Sequence, residues 1–193
     1  MTSWQQFRVV QRQRLIDERL AFSDGLRPLH QQALLKQLQA LLDDLPTGII
    51  GFYWPVRGEI DCRDFVCNLI KQGWQAALPK IIDRQGPLQF RQWGPESIME
   101  AEVWQISVPQ NTEIVQPDVI LVPLVGFDQQ MHRLGNGGGF YDRTLASHSR
   151  PIAIGIGFEW MLLESIQPQE HDIPMDWIVT EAMIRPQQNG NRD

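Results

Sequence analysis

Apolar positions in the first forty-odd residues recur at helical spacing. On a wheel of roughly 100° per residue, Trp4, Leu15 and Phe22 fall on one line, with Phe7 beside it. Arg8, Arg12 and Arg19 occupy a neighbouring sector of about 40°. Ser23-Asp24 then offers a cap, Pro28 suits a first turn, and Leu34, Leu38, Leu41 and Leu42 supply the apolar stripe of a second helix. Pro46-Thr47-Gly48 ends it.

The pattern then alternates between short apolar runs and helical stretches. Residues 48–53 (GIIGFY) read as a buried strand, residues 61–72 as a helix stopped by Gly73, and Trp74–Leu78 as a second strand. Ile81-Ile82, a turn at Asp83–Gly86, and Leu88–Trp93 suggest an antiparallel pairing at one edge. Asp118–Val122 is a third buried strand, Ile152–Ile156 a fourth and Trp177–Thr180 a short fifth. A polar, glycine-rich loop is expected from Phe127 to Gly139, with a helix starting near Phe140. Near-continuous apolar strands separated by helices imply an α/β fold: a single three-layer domain, mainly parallel, with helices on both faces and an antiparallel edge. That domain is expected over residues 1–184, its helical N-terminal segment over 3–45, and a disordered tail over 185–193.

Composition narrows the function classes. The chain has 193 residues, 42% hydrophobic, enough for one domain with a sizeable core and no staples. A net charge of −6 argues against a broad nucleic-acid surface. No run approaches the ~18 apolar residues of a membrane span, and Met1–Gln6 has neither a basic start nor an apolar core, so a cytoplasmic protein is expected. Cys62 and Cys67 have no second cysteine or histidine pair at zinc spacing and read as reduced thiols.

The candidate chemistry lies in residues 127–143, FDQQMHRLGNGGGFYDR. Four glycines within five positions remove Cβ atoms and let successive amides converge on an anion. Arg133 and Arg143 flank the loop and can bond a phosphate, and the loop follows a strand, where open parallel sheets bind ligands. The pattern is neither a Walker loop nor the usual Rossmann fingerprint, and a plain flexible turn is the competing reading.

The run from Arg133 to Arg143, preceded by Val-Pro-Leu-Val-Gly-Phe-Asp, closely resembles the signature of the 5-formyltetrahydrofolate cyclo-ligase family. Tyr53-Trp54-Pro55 with Glu59-Ile60-Asp61, Leu78-Pro79-Lys80, Phe90 with Trp93, Pro117–Ile120, and His171-Asp172 with Asp176 and Thr180 are similar to further family segments in the same order. The resemblance implies ATP-dependent conversion of 5-formyltetrahydrofolate to 5,10-methenyltetrahydrofolate, with ATP as co-substrate and Mg²⁺; a monomer or weak homodimer is the expected state.

By position, the resemblance implies an ATP site of Arg8, Arg133, Leu134, Gly135, Asn136, Gly137, Gly138, Gly139, Phe140 and Tyr141. It implies a folate site of Trp54, Glu59 and Asn136 to Phe140, metal ligation by Asp142 with Asp172 as a second ligand, and Tyr141 with Arg133 at the transferred phosphate. Each has a plainer reading: Arg8 and Arg12 as a solvated helix face, Glu59 as a cap for the following helix, Trp54 as core, Asp142 as a partner of Arg143.

The chain departs from the family pattern at three places. The lysine one turn before the N-terminal arginine falls on Trp4 or Gln5, and Arg12 or Arg14 are candidates to compensate. The glutamate of the family's Gly-Ile-x-Glu-Pro segment is replaced by Val108 within Gln105–Pro109. Met131 stands where a glycine precedes Arg133. The missing lysine and Val108 motivate a rival, a non-catalytic folate-binding or regulatory paralogue; a third reading is a different nucleotide-dependent kinase or ligase on the same scaffold.

Overall fold

The computed structural model describes residues 2–22, 25–101, 107–110, 112–147 and 149–187. Ser23-Asp24, Gln105-Ile106 and the tail beyond 187, all given readings above, lie outside the described residues.

Helices α1 (Ser3–Ala21) and α2 (Arg27–Asp43) open the chain, and Pro28 sits in the first turn of α2, where its missing N–H costs nothing. α2 buries Leu34, Leu38, Leu41 and Leu42, the expected stripe. α1 is different, because its buried residues are Arg8, Leu15, Ile16 and Arg19. Two of its inward side chains are therefore cations.

Five strands form the parallel centre of the main sheet: β1 (Ile49–Gly51), β2 (Gln75–Lys80), β7 (Val119–Pro123), β10 (Ile152–Ile156) and β12 (Trp177–Val179). Their order is β12-β10-β7-β1-β2. Val119, Ile120, Leu121 and Val122 are all buried, so both faces of the centre are covered. From β1 the chain crosses by α3 (Arg63–Lys71) to β2 on one side, and later returns to β7 on the other. The β1/β7 boundary is thus a switch point, the place where an open α/β sheet leaves a crevice beyond its carboxyl ends.

Antiparallel pairing occurs at both edges rather than one. On one side β3 (Gln89–Trp93) pairs with β2 itself, Ala76 opposite Trp93 and Lys80 opposite Gln89, and then with β6 (Ile114–Val115). Ile81 and Ile82 lie outside the strand, with Ile82 exposed. On the other side β13 (Ile184–Pro186) pairs with β12, so regular structure passes the boundary expected at 184. Arg185 is held there by an ion pair with Glu159, which gives this polar segment a partner. A two-stranded hairpin joins β4 (Met99–Ala101) to β5 (Ser107–Pro109).

The loop expected from Phe127 to Gly139 is partly regular. β8 (Gly126–Asp128) and β9 (Arg133–Leu134) form an antiparallel pair, with β11 (Leu162–Leu163) alongside β8. The buried Asp128 carboxylate closes the turn by accepting the amides of Gln130 at 3.0 Å and His132 at 3.1 Å. Met131 adopts φ 70°, the conformation in which a glycine is favoured, and buries its side chain in the core. Residues 135–139 remain an open loop, and α4 (Phe140–Leu145) follows with only six residues. Among the described residues no helix is long and apolar enough to cross a membrane.

Candidate active site

A cleft of about 1000 Å³ opens beyond the carboxyl ends of β1, β2 and β7 and is lined there by Tyr53, Trp54, Pro79, Ile81 and Pro123. Its floor is the loop from Arg133 to Asp142, one wall is α1 through Trp4, Gln5, Arg8, Val9 and Arg12, and the facing wall carries Val56, Arg57 and Glu59. The residues that the resemblance assigned to ATP, folate and metal line this one cleft, whereas Arg143 does not.

The loop is shaped for close approach. Gly137 (φ 94°) and Gly139 (φ 67°) adopt left-handed conformations that a side chain would strain. The Arg12 guanidinium carbon lies 3.5 Å from where a Cβ on Gly137 would stand, and Arg12 Nε donates to the Gly135 carbonyl at 2.7 Å. Among the described residues, the amides of Asn136 to Gly139 donate to no protein acceptor. They are free to meet an anion.

Arginines surround this loop with different commitments. Arg133 donates to Asp142 Oδ2 at 3.0 Å and lies 5.5 Å from the Tyr141 ring centre, while its buried Nε has no partner among the described residues. Arg12 is half-buried, and burial together with the neighbouring Arg8 charge pulls its pKa down, which favours an anion beside it. Arg143 faces away: it donates to the carbonyls of Gly86, Arg84 and Gly138 and braces the loop from behind. The expectation that Arg143 bonds a phosphate is corrected accordingly. Arg14 is also spent elsewhere, on Gln11 and Glu18 at the surface.

Arg8 is not a solvated face. Its guanidinium is buried, bonded to the carbonyls of Ile166 at 3.0 Å and Gln167 at 2.9 Å, and paired with Asp172. Burial pushes the Asp172 carboxyl up, but the bonds from Arg8 and the Gln169 amide outweigh it and leave the pKa lowered. Both Asp172 oxygens are thereby engaged, Oδ1 with Arg8 and Oδ2 with Arg8 and Gln169. Asp142 accepts from Arg133 and, through Oδ1, from the Ile173 amide at 3.2 Å. Among the described residues no group of three or more His, Cys, Asp or Glu side chains could hold a metal by itself.

On the opposite wall Glu59 caps its own turn, accepting the Val56 amide at 3.1 Å, and reaches Asn136 Nδ2 at 3.4 Å. It does not cap α3, whose first turn is served by Asp61 accepting the Arg63 amide at 3.0 Å. Burial raises the Glu59 pKa against the lowering effects of the Val56 amide, Arg19 and Asn136. Trp54 is half-buried, one face covered by the Arg63 guanidinium at 4.8 Å. Tyr141 is kept neutral: burial first, then the Glu59 charge, drive its pKa up against Arg133. Leu134 turns its side chain into a small cluster with Leu15, Ile16, Val125 and Ile166, and its carbonyl accepts the Val125 amide at 2.9 Å, so it shapes the cleft by holding the start of the loop.

Arg12 is the cleft residue that the sequence signalled only as a substitute. Its signal was the helical sector shared with Arg8. At the departures, Trp4 packs on Arg8 at 5.2 Å, the Gln5 side chain is bonded to the Thr2 amide at 2.9 Å, and Val108 lines the cleft.

Comparison with known proteins agrees with the geometry. The model of the 5-formyltetrahydrofolate cyclo-ligase family matches residues 4–181. The 5-formyltetrahydrofolate cyclo-ligase of Escherichia coli K12 is 30% identical over 172 residues, 83% of this chain and 94% of that protein. The Mycolicibacterium smegmatis enzyme of the same name is 31% identical over 86% of this chain and 89% of its own length. Among solved structures, the 5,10-methenyltetrahydrofolate synthetase of Aquifex aeolicus superposes with a TM-score of 0.79 at 24% identity, covering 96% of this chain and 95% of that one. The Mycoplasma pneumoniae synthetase gives 0.74 at 23%, covering 90% of this chain and 98% of that one. With a glycine loop, α1 arginines and a carboxylate-bearing wall meeting in one cleft, and a family match spanning nearly its whole length, this chain belongs to the 5-formyltetrahydrofolate cyclo-ligase family.

Proposed function

We propose that this protein uses ATP to convert 5-formyltetrahydrofolate to 5,10-methenyltetrahydrofolate. The observation that carries the reading is the juxtaposition across one cleft of the glycine loop, gripped by Arg12, and Glu59, joined to the same loop through Asn136. A cleft of about 1000 Å³ accommodates a nucleotide beside a reduced pterin.

In this reading the formyl oxygen attacks the γ-phosphorus of ATP, the bond to the β-phosphate oxygen breaks, and ADP departs. N10 of the folate then attacks the phosphorylated carbon and loses its proton. The former formyl oxygen leaves with the phosphate. Phosphoryl transfer of this kind needs positioning and charge stabilisation more than a protein nucleophile. The amides of Asn136 to Gly139, with Arg133 and Arg12, receive the phosphate oxygens. Tyr141, held as a neutral phenol, donates its O–H toward the transferred group. Glu59 accepts hydrogen bonds from the donor edge of the pterin, and Trp54 offers a stacking face.

The donor set fits magnesium that arrives on ATP. Mg²⁺ is held through one or two carboxylates plus phosphate oxygens and water, and Asp142 stands beside Arg133 at the phosphate end. When bound, Mg²⁺ neutralises phosphate charge. We assign Asp172 to anchoring Arg8 instead of ligating the metal, because the Arg8 guanidinium grips both its oxygens and Gln169 adds a third donor, whereas Asp142 meets one arginine nitrogen and one amide.

The test is phosphate release with Mg²⁺ present, measured with ATP and 5-formyltetrahydrofolate together and each alone, alongside the methenyl absorbance. Both signals are expected only with both substrates. Phosphate release that ignores the folate, or no absorbance change, rejects the assignment.

A further inference from the structure

Among the described residues Arg19 is the largest fully buried side chain, and it is 1% exposed. It leaves α1 two turns beyond Arg12. Its Nε donates to the Arg57 carbonyl at 2.9 Å and Nη1 to the Leu124 carbonyl at 3.0 Å. Among the described residues Nη2 has no hydrogen-bond partner, and it faces Glu59 Oε1 at 4.0 Å, with both side chains buried. A buried donor left unbonded destabilises a fold, and an apolar side chain of similar volume avoids that penalty. The cation therefore sits here at a cost to stability, and the charged group its open edge faces is the carboxylate of the folate wall.

We propose that Arg19 is a positioning residue for substrate binding: locked by two carbonyls, it holds Glu59 ionised and aimed into the cleft from beneath. Its place on α1 ties the folate wall to the helix that carries Arg8 and Arg12 to the phosphate end. Other groups act on Glu59 as well. Arg57 belongs to its own turn, Arg27 of α2 donates to the Gly58 and Glu59 carbonyls, Asn136 comes from the glycine loop, and Tyr53 and Tyr141 face it as neutral phenols. Of the cations, Arg19 is the one buried with its guanidinium edge turned to the carboxylate. The consequence for catalysis rests on the cyclo-ligase reading, whereas the Arg19–Glu59 coupling does not.

Two measurements test it. In the unliganded wild-type protein, the slowly exchanging Arg19 side-chain NMR signal is expected to shift in one step with the protonation of Glu59, and the step is expected to vanish in Glu59→Gln. A signal that titrates identically in Glu59→Gln overturns the coupling. In turnover, Arg19→Met is expected to move the acid limb of folate affinity up by about one pH unit. The folate KM then rises toward about tenfold on the acid side of that limb and by little above it, with kcat and the ATP KM little changed, and Arg19→Lys restores most of the loss. A folded Arg19→Met whose two KM values rise together at every pH has only a structural defect and overturns the proposal. If Arg19→Met does not fold, the NMR titration decides alone. A wild-type protein without folate-dependent ATP consumption defeats the cyclo-ligase reading while leaving the titration valid.

Discussion

Arg12 and Gly135 are joined by a 2.7 Å hydrogen bond from guanidinium to carbonyl, and that bond fixes the first helix to the start of the glycine loop. The same guanidinium covers the space beside Gly137. Arg12 thus shapes the loop and supplies charge where the family pattern has a lysine nearby and this chain has Trp4 and Gln5. Truncation to Arg12→Ala removes a charge-assisted bond of about 1.5–3 kcal/mol. The ATP KM is expected to rise about tenfold to a hundredfold, the folate KM by less, and Arg12→Lys to recover part of the loss. Steady-state kinetics with each substrate varied in turn checks this, and an unchanged ATP KM contradicts it.

Asp142 and Asp172 separate under the same kind of test. Asp142→Asn is expected to raise the Mg²⁺ concentration needed for half-maximal rate, whereas Asp172→Asn leaves it unchanged and loosens Arg8 instead. The Asp172 pair also gives a pH signature. Its carboxyl is depressed in the folded protein, so its stabilisation is fully present above the ordinary carboxylate range and is lost as pH falls through the lowered value. The stability difference between wild type and Asp172→Asn is expected to be about 2 kcal/mol and flat at neutral pH, disappearing only in strong acid. Urea unfolding at stepped pH measures it. A difference that already fades near pH 6 contradicts the assignment.

Gly138 tests the loop without touching a charge. A Cβ built there meets the Phe140 ring at 2.7 Å, while the backbone is not left-handed. Gly138→Val must therefore displace Phe140 at the mouth of the cleft, in a loop segment that is itself exposed. Binding of both substrates is expected to weaken about tenfold or more with melting temperature nearly unchanged, because surface loops contribute little to the core. Calorimetric titration with ADP and differential scanning calorimetry together check the split.

Much of this architecture was legible in the sequence. Apolar runs such as VILV at Val119–Val122 cannot be solvated on either face, so they announce a covered parallel strand. The glycine loop stood out as a side-chain-poor stretch after a strand, but a plain turn reads the same way, and only the structure sets Gly137 and Gly139 at positive φ beside Arg12. Other features depend on partners far along the chain. The direction of Arg143 is set by the carbonyls of Arg84 and Gly86, and the order of β13 by Glu159. The burial of Arg8 and Arg19 was illegible for the same reason: a helical wheel places arginines in one sector, but only tertiary carbonyls and carboxylates make that sector an interior one. Pairing of β3 with β2 in place of Ile81-Ile82 follows from register, which local propensity does not encode.

Met131 pits backbone strain against burial, and the magnitudes decide the outcome. Its φ of 70° costs a non-glycine residue roughly 1–3 kcal/mol, which Met131→Gly relieves. Against that stand the ~0.4–1 kcal/mol of extra unfolded-chain entropy that a glycine brings and the roughly 2–5 kcal/mol lost when a buried methionine is truncated. The side chain is 3% exposed and packed in the main core, and its carbonyl accepts the Met175 amide at 2.9 Å. Burial wins, so Met131→Gly is expected to destabilise the protein by about 1–3 kcal/mol even though it restores the family's residue. Met131→Ala keeps the strain and loses most of the packing, and is expected to be less stable still. Urea unfolding of the three proteins orders them wild type, glycine, alanine, and a glycine variant more stable than wild type shows that strain, not packing, governs this turn.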